Sequence, residues 1–285
     1  MNSQSGQGEI TAESLTLEEA IANLRSKDPS LRYYAAWWVG RFRVDLPEVI
    51  DALIDGLEFT GDAEDGVFPL QRNVARALGK LDDCRAVDPL IAKLTSSDFY
   101  VREAAAQSLG MLGGPQAIAP LRQLLAGGVA AAVQVSGKPH LVQPYDSILE
   151  ALGELGATEA IDDIEPFVGH PLEKVAYGAA RAMYQLTGDA QYGEKLVQAL
   201  QGPDLQLRRA ALSDVGAIGY LEAAKAIFNT EAENSLKLYS LKGLLEHPKA
   251  QGSVLGQIQG DIQGDRDSEL TAIQTQIMDL MDGLL

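Results

Sequence analysis

Tyr33 and Trp37, Arg72 and Arg76, and Glu103 and Gln107 form three pairs whose members stand four residues apart, so each pair shares one face of a helix. Their chemistry points to binding. Aromatic rings stack on flat conjugated surfaces, guanidinium forks hold carboxylates, and a carboxylate accepts N–H donors. Asp146 and Glu150 continue the same spacing further along the chain.

The elements that must position these residues are repeats. Segments ending in Leu-Gly or an equivalent recur as LRYYAAWWVG from Leu31, LQRNVARALG from Leu70, VREAAAQSLG from Val101, YDSILEALG from Tyr145 and LRRAALSDVG from Leu207, with VAYGAARAMY from Val175 as a variant. An alanine opens a second apolar run after the glycine, at Ala86, Ala117 and Ala160. The period of about thirty residues with two helices per unit is the pattern of a HEAT-like solenoid. The expected fold class is therefore all-α, a HEAT-like or armadillo-type superhelical crescent, with no strand signal.

In this register one column reads Tyr33, Arg72, Glu103, Asp146, Tyr177, Arg209, and the next reads Trp37, Arg76, Gln107, Glu150, Arg181, Ser213. Positions meant for burial are not filled by charges repeat after repeat. In a HEAT-like array the second helices line the concave side, so both columns are expected on a binding surface. Leu31, Tyr34, Ala35, Trp38 and Val39 lie on the opposite stripe and are expected in the core. Two alternatives stay open: Tyr33 and Trp37 also fit beneath the preceding helix, whose apolar residues Leu17, Ala20, Ile21 and Leu24 need a partner, and the charges also fit a solvated face.

Asp28, Asp98 and Asp204 read as N-caps, each followed four residues later by an arginine, Arg32, Arg102 and Arg208. A ladder between repeats explains the recurrence better than an anion clamp.

Composition narrows the function further. Twenty-three basic against forty acidic residues give a net charge of -17, which opposes nucleic-acid binding. The single cysteine, Cys84, excludes an internal disulfide framework and fits the cytoplasm, and three scattered histidines show no metal spacing. No run is long enough for a membrane span, and residues 1–15, polar and acidic, are expected to be a disordered start rather than a signal peptide. Residues 16–247 are expected to be the solenoid, 248–268 a Gly/Gln-rich linker and 269–285 a C-terminal helix.

Two further interruptions stand out, an acidic loop at 58–68 and a longer insertion at 127–144. The insertion carries Lys138 and His140 and leads into Tyr145, which makes it the stronger functional candidate; an ordinary surface loop is the alternative.

The strings SLRYYAAWWVGRFRV, RNVARALGKL, YVREAAAQSLGMLG, GKPHLVQPY, ARAMYQLT and LRRAALSDVGAIGYL together resemble the E/F-type phycobilin lyases with HEAT-like repeats, and among them the E-type subunits. Gln71, where a second arginine is usual, and the glycine-rich stretch before the last helix depart from that pattern. The resemblance implies a heterodimer with an F-type subunit that attaches phycocyanobilin through a thioether to a cysteine of the phycocyanin alpha subunit, and that also detaches or transfers it. Phycocyanobilin is then a substrate, and no prosthetic group is implied. It further implies that Tyr33, Trp37, Arg72, Arg76, Gln107 and Tyr145 bind the bilin, with Glu103, Asp146 and His140 in catalytic roles, His140 as a proton donor. The alternatives are a lyase or lyase-isomerase subunit for a related biliprotein such as phycoerythrocyanin, and a non-catalytic HEAT-repeat scaffold or chaperone for biliproteins.

Overall fold

The structure is a computed structural model that describes residues 15–61, 68–248 and 263–285. It divides into two compact units, Met1–Ala126 with Ala131–Ala151, and Gly127–Ala130 with Leu152–Leu285. The first holds α1 (Leu17–Leu24), α2 (Pro29–Phe42), α3 (Pro47–Gly56), α4 (Pro69–Leu78), α5 (Val87–Lys93), α6 (Phe99–Leu112) and α7 (Ile118–Leu124). The short α8 (Gly128–Ala131) and α9 (Tyr145–Glu154) run across the division. The second holds α10 (Ile161–Ile164), α11 (Glu173–Thr187), α12 (Ala190–Leu200), α13 (Leu205–Ile218), α14 (Ala224–Asn229), α15 (Asn234–Glu246) and α16 (Gln263–Asp282). No described helix is long and apolar enough to cross a membrane.

The recurring glycine is explained by helix approach. A Cβ at Gly40 of α2 would lie 3.0 Å from the Cα of Ala77 on α4, and one at Gly79 would lie 2.5 Å from the Ser108 Oγ on α6. In the second unit the same relation joins Gly153 to Ala182 and Gly216 to Ser240. At these four positions a helix presses a bare backbone onto the next, and a side chain there would force neighbours apart.

The three aspartate caps form. Asp28, Asp98 and Asp204 accept from the backbone N–H of Ser30 at 2.8 Å, Tyr100 at 2.7 Å and Gln206 at 2.7 Å. Asp98 also accepts from the Phe68 N–H at 2.8 Å, which ties α6 to the start of α4. The arginines that follow are ladder residues whose partners are mainly carbonyls. Arg102 donates to the Ser96 carbonyl at 2.7 Å and to the Val142 carbonyl at 2.8 Å, and Arg208 to Gly202 at 2.7 Å and Glu231 at 3.1 Å. Arg32 instead lies 4.5 Å over the Phe59 ring.

Three expectations change. Ala35 and Val39 are fully buried, but Tyr34 and Trp38 are only half-buried; their rings lean on Trp37 at 5.7 Å and Phe42 at 4.9 Å between centroids. The 127–144 insertion contains an antiparallel bridge, Gln134 to Leu141, where no extended pairing is expected from the sequence. The last helix begins at Gln263, within the stretch assigned to the linker, while the expected disordered start, apart from Leu15, and residues 62–67 of the acidic loop lie outside the described residues, as do 249–262 of the linker.

Candidate functional site

On α2, Tyr33 and Trp37 are 45% and 40% exposed, so α1 does not cover them, and the small Ala36 and Gly40 between and beyond them are buried. The α4 side chain of Asn73 donates to the Tyr33 carbonyl at 2.7 Å, fixing the two helices in register. Arg72 directly precedes Asn73, and Arg76 follows it by one turn. The Arg72 guanidinium lies 4.8 Å over the ring of Tyr100, and Arg76 Nη2 is 3.6 Å from Glu103 Oε2 on α6, with the two side chains 46% and 14% exposed. That separation exceeds a hydrogen bond, so a ligand carboxylate can compete for this half-exposed cation. Gln107, one turn beyond Glu103, donates to the Ser147 hydroxyl at 3.1 Å.

The insertion brings His140 to the same region. Its hairpin is closed by Val135 N–H to the His140 carbonyl and by Val142 N–H to the Val133 carbonyl, both at 3.0 Å, with Gly137 at φ 72° in the turn. Arg102 holds it down, donating to the Gln143 side chain at 2.9 Å as well as to the Val142 carbonyl. Desolvation of this half-buried guanidinium pushes its pKa below the usual range. The His140 ring stacks on Phe99 at 4.1 Å and meets the edge of Tyr100 at 5.9 Å. Phe99, Tyr100, Arg102, Lys138, His140 and Val142 line a cavity of about 500 Å³. The His140 Nδ1 lies 2.8 Å from the Leu141 carbonyl, and a carbonyl only accepts, so Nδ1 carries hydrogen. In the neutral ring Nε2 is then an acceptor, and in the protonated ring it is the donor expected from the sequence.

Phe99 and Tyr100 were missed in the sequence. The signal was an aromatic pair directly after the Asp98 cap, with Tyr100 one turn before Glu103. Tyr145 is a correction in the other direction: at 2% exposure it is a core residue in the first turn of α9, its phenol pKa raised by desolvation, and it has no ring face to offer a ligand. Asp146 beside it is 8% exposed and therefore also buried. Cys84 is exposed, in the turn after α4 next to Asp82 and Asp83.

In the second unit the Trp37 column supplies Arg181, whose Nη2 is 2.5 Å from Glu154 and whose Nη1 is 2.9 Å from Asp214. Burial raises the pKa of both carboxylates against the pull of Arg181. At the Tyr33-equivalent position, Arg209 pairs with Glu233 and draws it down to about 2.

Family models match at both ends of the first unit's array. Residues 31–59 match the PBS lyase HEAT-like repeat, and residues 63–135 match HEAT repeats. The phycocyanobilin lyase subunit alpha of Pseudanabaena tenuis is 59% identical over 275 residues, covering 95% of this chain and 96% of that protein. The chain belongs to the phycocyanobilin lyase alpha-subunit family. A chain of the solved complex of CpcE and CpcF of phycocyanin lyase from Nostoc sp. matches it with a TM-score of 0.85 and 53% identity over 100% of both chains. The bilin biosynthesis protein PecE of Mastigocladus laminosus stands further off, at 41% identity over 235 residues, 81% of this chain and 82% of that protein. The HEAT-like all-α class of the family is that of this chain.

Proposed function

We propose that this chain is the alpha, E-type subunit of a cytoplasmic heterodimeric lyase that, with an F-type partner, joins phycocyanobilin to a cysteine of the phycocyanin alpha subunit. The observation that carries this reading is the placement of exposed Tyr33 and Trp37, Arg72 and Arg76 on neighbouring helices α2 and α4 of one unit, in a chain that matches phycocyanobilin lyase subunits along almost its whole length. The greater identity to that subunit than to PecE favours simple attachment over the related-biliprotein alternative.

The chemistry asked of these residues is positioning. Tyr33 and Trp37 offer ring faces to the conjugated tetrapyrrole, and Arg72 and Arg76 offer donors to its propionates. Glu103, with Gln107 beside it, accepts from pyrrole N–H groups and stabilises a protonated bilin, the better electrophile. In the reaction the acceptor sulfur bonds to the exocyclic ethylidene carbon, and the thiol proton is finally gained by the adjoining ring carbon. In this reading His140, stacked on Phe99, takes that proton in passing at Nε2 and returns it to the ring carbon. The thiol belongs to the acceptor protein, so the chain needs no nucleophile of its own. Detachment is the same sequence run backwards.

Reconstitution tests the reading. The chain, an F-type subunit, phycocyanobilin and the acceptor alpha subunit together should give a covalent, zinc-fluorescent adduct with native absorbance, and leaving out the chain should abolish it. Equal adduct without the chain would reduce it to a scaffold.

A further inference from the structure

We propose that the second compact unit carries its own binding site for a ring bearing a carboxylate, built on Tyr239 and Lys242, and that it holds a propionate-bearing pyrrole ring of the bilin. The proposal rests on the lyase reading above and adds a site that the repeat pattern of the sequence does not show.

Packing supplies the register. In the first unit Gly40 abuts Ala77 and Gly79 abuts Ser108, the residues directly after Arg76 and Gln107. In the second unit Gly153 abuts Ala182, directly after Arg181, and Gly216 abuts Ser240, directly after Tyr239. Tyr239 therefore occupies on α15 the position that Trp37 occupies on α2. It is 68% exposed, more than Trp37 itself. Its surroundings are those of a ligand site. Tyr239, Lys242, Ser213, His247 and Glu246 line a cavity of about 340 Å³, next to the α13–α15 contact where Gly216 and Gly243 pack backbone to backbone. This is near the lower end of the roughly 300–1,000 Å³ of ligand pockets, a size for part of a tetrapyrrole. The phenol ring supplies a stacking face, and the ammonium supplies a carboxylate partner. Lys242 Nζ is 3.5 Å from Glu246 in a pair whose side chains are 61% and 65% exposed. Such a surface pair is weak and yields to a ligand carboxylate.

The test uses the complex of the chain with its F-type partner, titrated with phycocyanobilin and followed by the circular dichroism induced in the bilin band. Tyr239→Ala should weaken binding about tenfold, the equivalent of about 1.4 kcal/mol, Tyr239→Phe should retain it, and Lys242→Gln should weaken it about threefold at low salt. Unchanged affinity in Tyr239→Ala, with Trp37→Ala still losing affinity, would overturn the second site and leave the lyase reading standing. Loss of the heterodimer on size exclusion in Tyr239→Ala would also overturn it, by making the surface a partner contact. A parent complex that captures no bilin would overturn both.

Discussion

The two compact units use arginine in opposite ways at equivalent repeat positions. In the first, Arg72 rests on the Tyr100 ring and Arg76 stands 3.6 Å from a single carboxylate with nearly half its side chain in solvent. In the second, Arg181 is 13% exposed and held by two carboxylates at 2.5 and 2.9 Å. A ring leaves the guanidinium edge able to donate, whereas two carboxylates occupy it. The repeat thus supplies a cation at a fixed place, and its neighbours decide whether it serves a ligand or a helix junction.

The largest effect that tests this contrast is expected from Arg181→Ala. It leaves Glu154 and Asp214 facing each other without their cation, and the loss should be about 3–5 kcal/mol, seen as a lowered melting temperature. The sign with pH follows from the direction of the shifts. Both carboxylates have folded pKa values raised above their unfolded ones, so stability falls as pH rises through the folded values, and the variant should recover part of its loss on acidification. A variant as stable as the parent at neutral pH would erase the distinction between the units.

Next comes the α2 pair. Trp38→Ala removes a half-buried ring and should cost about 1–3 kcal/mol, below the roughly 3–5 of a fully buried tryptophan. Trp37→Ala should cost less than about 1 kcal/mol while impairing bilin transfer. Equal melting temperatures for the two variants, or normal transfer by Trp37→Ala, would contradict the assignment of Trp37 to ligand. Smaller still in stability is the double change Arg72→Gln, Arg76→Gln, which should leave the melting temperature within about a degree or two while lowering transfer by about tenfold or more, as loss of two charge-assisted contacts implies. The smallest effect is a titration. Glu233 beside Arg209 should stay ionised until pH falls to about 2, because its folded pKa is depressed by the arginine's hydrogen bond. A carboxyl resonance with its midpoint near 4.5, the ordinary value, would remove that pair.

The sequence reads well where one residue does one local job. The Leu-Gly endings announce backbone-to-backbone helix contacts, and the aspartate caps act within their own first turn, so both appear without knowledge of the fold. It reads less well where distant segments meet. That the insertion folds over α6 and sets His140 on Phe99 depends on Arg102 reaching Val142 and Gln143, contacts across about forty residues that no periodicity encodes. From the sequence Tyr145 is expected to bind the bilin because the insertion leads into it, yet the first turn of α9 is buried. Tyr239 escaped the column because α15 has Lys242 in place of the marker glycine and no matching Leu-Gly ending, so the packing of Gly216 on Ser240 is what restores its register.

Cys84 gives the chain a property useful to an experimenter. As the one thiol in 285 residues, and an exposed one on the turn after α4, it accepts a single dye without any mutation. A donor fluorophore there would be quenched by energy transfer as the bilin arrives and would recover as it leaves with the acceptor, so loading and hand-over become two optical events in the unaltered protein.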